Sequence, residues 1–290
     1  MPDSAGHASL AAEVATWPVG DVAVGVVRAG PGGEGEVVDT VGDLDAVFAW
    51  ASVTKVLVAL AVWVAAEEGT LALEAPAGPP GSTVAHLLAH ASGLEPDRDR
   101  RLAAPGTRRI YSNRGFEVLS EALAARAGMP FAHYLRAGVL APLGMDGTAL
   151  DPGASPASGA RGPLRDVLAL AAELMHPRLV APDTVASATA VWFPGLAGVV
   201  PGFGRFDPCD WGLGLEVRDG KRPHWTGTRN APATFGHFGQ SGSFLWVDPV
   251  AGVACASLCD TAFGPWAKEA WPRLADAVLA RWSVTYTDPP

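Results

Sequence analysis

Residues Ser52 to Glu68 read SVTKVLVALAVWVAAEE, with no Gly or Pro and almost no polar side chain between the ends. A helix apolar on every side is a buried one, and Gly69 follows it as a terminating glycine does. Ser52 stands at its start, where serine is a favoured cap. Residues three apart share a helix face, so the Lys55 amine comes within reach of the Ser52 oxygen. A lysine in so apolar a helix has no solvent face. Desolvation lowers its pKa, and a neutral amine can take the proton from a serine hydroxyl. The free N–H groups of the first turn and the positive end of the helix dipole favour negative charge at the same place. A capping serine followed by a snorkelling lysine would read alike. With 14 serines and three lysines in 290 residues, however, Ser-x-x-Lys arises by chance only about 0.15 times.

Outward from this helix the pattern changes period. Val22 to Arg28 (VAVGVVR), the turn-like PGGEGE and VVDTV read as a hairpin on the N-terminal side. On the other side, Ala75 to Ser82 is a Pro/Gly-rich connection. Helices are expected at Thr83 to His90, Ser112 to Ala127, Phe131 to Val139 and Leu164 to Met175. Pro194 to Pro208 is loop-like. Strands return at Gly212 to Val217, Gly236 to Val247 and Val253 to Leu258, and a helix from about Pro265 to Arg281 closes the chain. Hairpin-linked strands at both ends imply an α+β fold. One antiparallel sheet, assembled from residues 1–70 and 205–290, carries an inserted, mainly helical lobe at 71–204, with a cleft between.

Composition narrows the function. A net charge of −9 makes nucleic acid and anionic membranes poor partners. Met1 to Leu10 has no signal-peptide pattern, and no apolar run is long enough to span a membrane. Cys209, Cys255 and Cys259 are odd in number and fit a reducing compartment, with Cys255 and Cys259 read as packed core thiols, so the expected location is the cytoplasm.

Two further motifs carry chemistry. Tyr111-Ser112-Asn113 sets a phenol that can relay a proton beside an amide that can donate and accept. With three tyrosines and two asparagines, Tyr-x-Asn arises by chance about 0.02 times. Gly236-His237-Phe238-Gly239-Gln240-Ser241-Gly242 places glycines in a strand, where a ligand or a second backbone comes close. The ten tryptophans read as core packing before pocket lining.

Ser52-x-x-Lys55, Tyr111-x-Asn113 and His237-x-Gly239, in that order, resemble the three active-site elements of the penicillin-recognising serine enzymes. The Tyr-x-Asn form is similar to class C β-lactamases, D-alanyl-D-alanine peptidases and related carboxylesterases. TVAHLLAHASGL (Thr83 to Leu94), PGTRRIYSN (Pro105 to Asn113), APLGMDGT (Ala141 to Thr148), WGLGLEV (Trp211 to Val217) and FGHFGQSGSFLWVDP (Phe235 to Pro249) extend the likeness. The resemblance implies an antiparallel sheet flanked by helices with an all-helical lobe, a β-lactamase/transpeptidase-like fold. It makes Ser52 the nucleophile, Lys55 and Tyr111 the proton-transfer pair, and Asn113 a substrate-positioning residue. The N–H groups of Ser52 and Gln240 become the oxyanion hole, and His237 stands where a lysine is common, bonded toward Tyr111. Gly239 belongs to the same substrate-binding strand. No metal or organic cofactor is implied.

The third motif is His-Phe-Gly, not Lys-Thr-Gly, so a cation and a hydroxyl that would receive a substrate carboxylate are missing. The chain is also short for a class C relative. Both point away from β-lactams and toward a small-molecule carboxylic ester. Acyl transfer through the same acyl-enzyme, a β-lactamase or D-amino-acid peptidase, and a silent binding protein are the alternatives. A conventional α/β-hydrolase would need Gly-x-Ser-x-Gly, which no serine here satisfies.

Overall fold

The computed structural model describes residues 9–30, 32 and 34–284. Most of the N-terminal Met1 to Leu10 segment and part of the PGGEGE turn lie outside the described residues. The strands in chain order are β1 Val22–Ala29, β2 Gly35–Val41, β3 Phe48–Ala49, β4 Ala149–Leu150, β5 Ala160–Gly162, β6 Gly198–Val200, β7 Gly204–Phe206, β8 Glu216–Val217, β9 Phe235–Phe238, β10 Phe244–Asp248 and β11 Val253–Cys259. The helices are α1 Leu10–Val14, α2 Thr54–Glu67, α3 Val84–Leu88, α4 Asn113–Ala127, α5 Phe131–Leu135, α6 Leu164–Met175, α7 Pro182–Thr189 and α8 Pro265–Trp282.

Six strands form one antiparallel sheet in the order β2-β1-β11-β10-β9-β8. The two ends of the chain meet at β1 and β11, where Val22 pairs with Cys259 and Arg28 with Val253. Both faces of the central strands are buried, whereas the edge strand β2 is partly exposed, and the period-2 alternation of side chains divides the two faces. Ala254, Ala256 and Leu258 pack on the side of α2 and α6; Val253 and Cys255 pack with Trp246, Trp271 and Leu274 on the side of α8. Strands covered on both faces read as unbroken apolar runs, which is why β1 and β11 are so rich in Val and Ala. Gly25 permits the close approach of α6: a Cβ there would meet the Leu168 side chain.

The segment from α3 to β7 holds helices α3 to α7 and strands β4 to β7, with β3, β4 and β5 forming a small sheet of their own and β6 pairing with β7. Helix α2 is the shared wall. Every residue from Thr54 to Ala65 is buried, Lys55 included, and each Val or Leu so buried contributes about 1.5–3 kcal/mol relative to exposure.

Several expected boundaries move. Ser52 does not cap an α-helix directly; it sits in a 3-10 turn, Ala51–Val53, that leads into α2. Gly236 to Val247 is a hairpin and not one strand. Gly242 (φ +86°) and the Gly239 N–H donated to the Ser243 carbonyl, 2.8 Å, fold β9 back onto β10. The expected strand from Gly212 shrinks to Glu216–Val217, because Gly212 and Gly214 are held in turn geometry against α7 and α3. The helix over Thr83 to His90 stops at Leu88, with His90 in a left-handed conformation at φ +54°. The helix from Phe131 passes into a π-turn over Arg136–Leu140.

Candidate active site

The 3-10 turn sets Ser52 at the edge of a cavity of about 240 Å³, lined also by Tyr111, Asn113, Trp211, Glu216, His237, Phe238, Gln240, Val200 and Pro201. Ala51 takes φ +43°, a conformation that L-residues rarely adopt, so the backbone beside Ser52 is held under strain. Gly239 explains how β9 comes so close to this turn. A Cβ on Gly239 would lie 2.5 Å from the Trp50 carbonyl oxygen and 3.0 Å from the Ala51 Cβ. Gly239 therefore serves backbone approach and is not itself part of the cavity wall.

Lys55 reaches the site from one turn inside α2. Its Nζ donates to Ser52 Oγ at 3.2 Å, Asn113 Oδ1 at 2.8 Å and the Ala157 carbonyl at 2.8 Å. These three acceptors match the three protons of an ammonium. The nitrogen also stands 4.8 Å from the centre of the Tyr111 ring. Burial lowers its pKa to about 7, against the pull of the Asp97 and Glu117 carboxylates, which favour the charged form.

Tyr111 precedes α4, whose cap is Ser112: its Oγ accepts from the Gly115 N–H at 3.0 Å. His90 fixes the chain on both sides of the tyrosine. The Ile110 N–H donates to the His90 carbonyl at 2.8 Å and the Ser112 N–H to His90 Nδ1 at 3.1 Å, while the His90 and Tyr111 rings pack tilted by 39° with centroids 4.5 Å apart. Burial raises the Tyr111 pKa, with the Ser52 hydroxyl opposing the shift, so the phenol holds its proton at neutral pH. Asn113 bridges two groups: Oδ1 accepts from Lys55, and Nδ2 donates to Asp97 Oδ1 at 2.8 Å.

The third motif departs from expectation in one respect. His237 is not bonded to Tyr111; Nδ1 donates to the Phe238 carbonyl at 2.7 Å, and the two rings lie 5.9 Å apart between centroids. Hairpin geometry turns the imidazole back onto its own backbone. Burial, then the Lys55 charge, lowers the His237 pKa to about 3, so the ring is neutral. Phe238 packs against Phe203, Phe263 and Trp271.

Sequence patterns missed four contributors. Asp97, His90 and the Ala157 carbonyl act on Lys55 and Tyr111 only through tertiary contacts. Glu216 forms part of the cavity wall and accepts from Trp225 Nε1 at 2.8 Å and His224 Nε2 at 3.3 Å, with Lys221 Nζ 3.5 Å away. Burial alone would raise the Glu216 pKa; the Lys221 charge and the His224 contact outweigh it and hold the carboxyl low, at about 2. His90 and Glu216 stand inside TVAHLLAHASGL and WGLGLEV, the one signal that could have found them. None of the arginines at 98, 100, 101, 108 and 109 reaches the cavity wall. Arg100 is held by Glu95, and Arg109 is buried against the carbonyls of Ala89, Trp192, Phe193 and Cys209.

Of the tryptophans, Trp211 alone forms part of this cavity among the described residues; Trp225, Trp246 and Trp271 pack in the core. Cys209, Cys255 and Cys259 are free and buried, as core thiols. Among the described residues no group of three or more His, Cys, Asp or Glu is placed to hold a metal ion, and no helix is long and apolar enough to cross a membrane.

A family model described as Beta-lactamase matches residues 20–280. The crystal structure of a beta-lactamase from Mycobacterium bovis (Mb2281c) is 49% identical, covers 95% of this chain and 100% of its own, and superposes with a TM-score of 0.92. EstCE1, a hydrolase with promiscuous acyltransferase activity, is 19% identical over 92% of this chain and 95% of its own, with a TM-score of 0.73, a likeness of fold alone. The D-alanyl-D-alanine-carboxypeptidase/endopeptidase AmpH of Escherichia coli K12 is 29% identical over 146 residues, 38% of this chain and 38% of that relative's length.

Proposed function

The chain belongs to the beta-lactamase family, and on that footing we propose that it is a serine hydrolase that forms an acyl-enzyme at Ser52 on small carboxylic esters. One observation carries the reading. Lys55 is fully buried, donates to Ser52 Oγ, and has a pKa lowered to about 7, so near neutrality a substantial fraction is the free amine that a general base must be. In the mechanism we infer, Lys55 takes the Ser52 proton as Oγ attacks the ester carbonyl. The N–H groups of Ser52 and Gln240 stabilise the resulting oxyanion. Tyr111, still protonated, passes a proton to the departing alkoxide and regains one from the Lys55 ammonium. Water, activated by the same pair, then releases the acid. Asn113 holds the Lys55 amine in line through its Oδ1.

Esters are favoured over β-lactams by the charge around the cavity. A bound carboxylate needs a cation or donors, because an unpaired buried charge is costly. Here the wall offers a neutral His237, a phenyl ring at Phe238 and the ionised Glu216. We expect kcat/KM for p-nitrophenyl butyrate to exceed that for a chromogenic cephalosporin by about 10²-fold or more. Faster turnover of the cephalosporin would overturn the ester reading while leaving Ser52 in place.

A further inference from the structure

The two nitrogens of His237 are not equivalent. Nδ1 lies 2.7 Å from the Phe238 carbonyl oxygen, and a carbonyl only accepts, so Nδ1 carries the proton. In the neutral ring Nε2 is then a bare acceptor. It is buried, and no donor within the described residues reaches it. The neighbouring donors do not serve it: Lys55 Nζ is bonded to Ser52, Asn113 and Ala157, and neither Tyr111 nor Trp211, whose rings adjoin His237, bonds to Nε2. Yet His237, only 3% exposed, forms part of the wall of the cavity that holds Ser52. A desolvated acceptor beside the reacting serine is satisfied when a substrate brings a donor. His237 shares this wall with Ser52, Trp211 and Phe238, so a group that meets the ring there belongs to a substrate bound at the serine.

Resting on the ester reading above, we propose that His237 Nε2 is the hydrogen-bond acceptor for a hydroxyl or N–H group on the acyl chain, so that the site takes short hydroxyacyl or aminoacyl-type esters. Where a lysine in this motif would offer protons to an anion, this histidine offers a lone pair to a donor. A site that bonds a substrate hydroxyl discriminates against the analogue lacking it, because its own polar group is then left unpaired.

The test is a ratio of kcat/KM, p-nitrophenyl 3-hydroxybutyrate over p-nitrophenyl butyrate. We expect about tenfold or more in the wild type and about one in His237→Phe. A wild-type ratio near one, or a preference that persists in His237→Phe, overturns the proposal. Two readouts on the wild type stand apart from ester turnover and from the folding of the variant. Nitrogen NMR of histidine-labelled protein should show an unprotonated Nε2 at His237, and a protonated Nε2 overturns the proposal. Aryl boronates require only a nucleophilic serine. A hydroxyl-bearing phenylboronate should bind tighter than phenylboronate, which supports the acceptor even if neither ester is turned over and the ester reading falls. Equal boronate affinities count against it.

Discussion

In the proposed mechanism Lys55 acts as the free amine, a form that burial makes accessible near neutral pH. Its folded pKa, about 7, lies below that of a free lysine, so the active amine gains population as pH climbs. Accordingly, kcat/KM should rise through a midpoint near pH 7 and then level. The carboxylates of Asp97 and Glu117 oppose this from α4 and the loop before it, whereas His90 and His237 are neutral. Replacing Asp97 by Asn removes a charge that favours the ammonium, so the midpoint should move to lower pH. A midpoint that stays, or moves up, would contradict the electrostatic reading. Lys55→Ala and Tyr111→Phe should each lower kcat by about 10²–10⁴-fold, and the double variant should be little worse than either, since the two groups act as a unit. Near-wild-type turnover in either single variant removes that residue from the mechanism. At this scale the Ser52–Lys55 pair was legible from helical spacing and Tyr111 with Asn113 from their own motif, while the meeting of the two pairs followed only from the family resemblance. Asp97 and Glu216 were not legible, because nothing local distinguishes a carboxylate that faces a cavity from one that faces water.

Elements position these side chains by close backbone approach. The β9–β10 hairpin reaches the Ser52 turn only because Gly239 has no side chain. Gly239→Val should destabilise by about 1–3 kcal/mol, the usual penalty for forced overpacking, and should lower turnover further by displacing the turn; an unchanged melting temperature and rate would show that the approach is slack. The cap of α4 makes a parallel case. Ser112→Ala removes the bond to the Gly115 N–H and should cost about 1 kcal/mol. Because Tyr111 and Asn113 flank it, kcat should fall by more than the lost stability alone explains, and a melting shift with unaltered kcat would argue against that coupling. The hairpin was misread as one long strand for a physical reason. FLWV and FGHF are both apolar, and the glycines between them fit a ligand approach as well as a turn. The body and C-terminal end of helix α2 were legible because its apolar run and its glycine stop agree; the 3-10 turn at its start was not.

For the whole molecule, the sheet joins the two ends of the chain, and one hydrophobic cluster runs from Ala23 through the helices of the middle segment to Leu258. Sheet and helices sharing one core should unfold together, in a single calorimetric transition. Two resolved transitions would mean that the segment 71–204 folds on its own. The architecture was readable from the order of strands, helices and strands. That the two terminal segments share one sheet was inferred from the order of elements, but the pairing of β1 with β11 was not, since no residue pattern names a partner more than two hundred positions away. The charge of the cavity was legible only in part: the missing lysine of the third motif could be read, but the ionised Glu216 could not. All of these scales converge on Ser52, and the direct measurement is covalent labelling of the intact protein with a fluorophosphonate, located by peptide mass spectrometry. The account predicts one adduct, on Ser52, that disappears in Ser52→Ala. Labelling that persists in that variant, or a wild-type protein that takes no label, contradicts it.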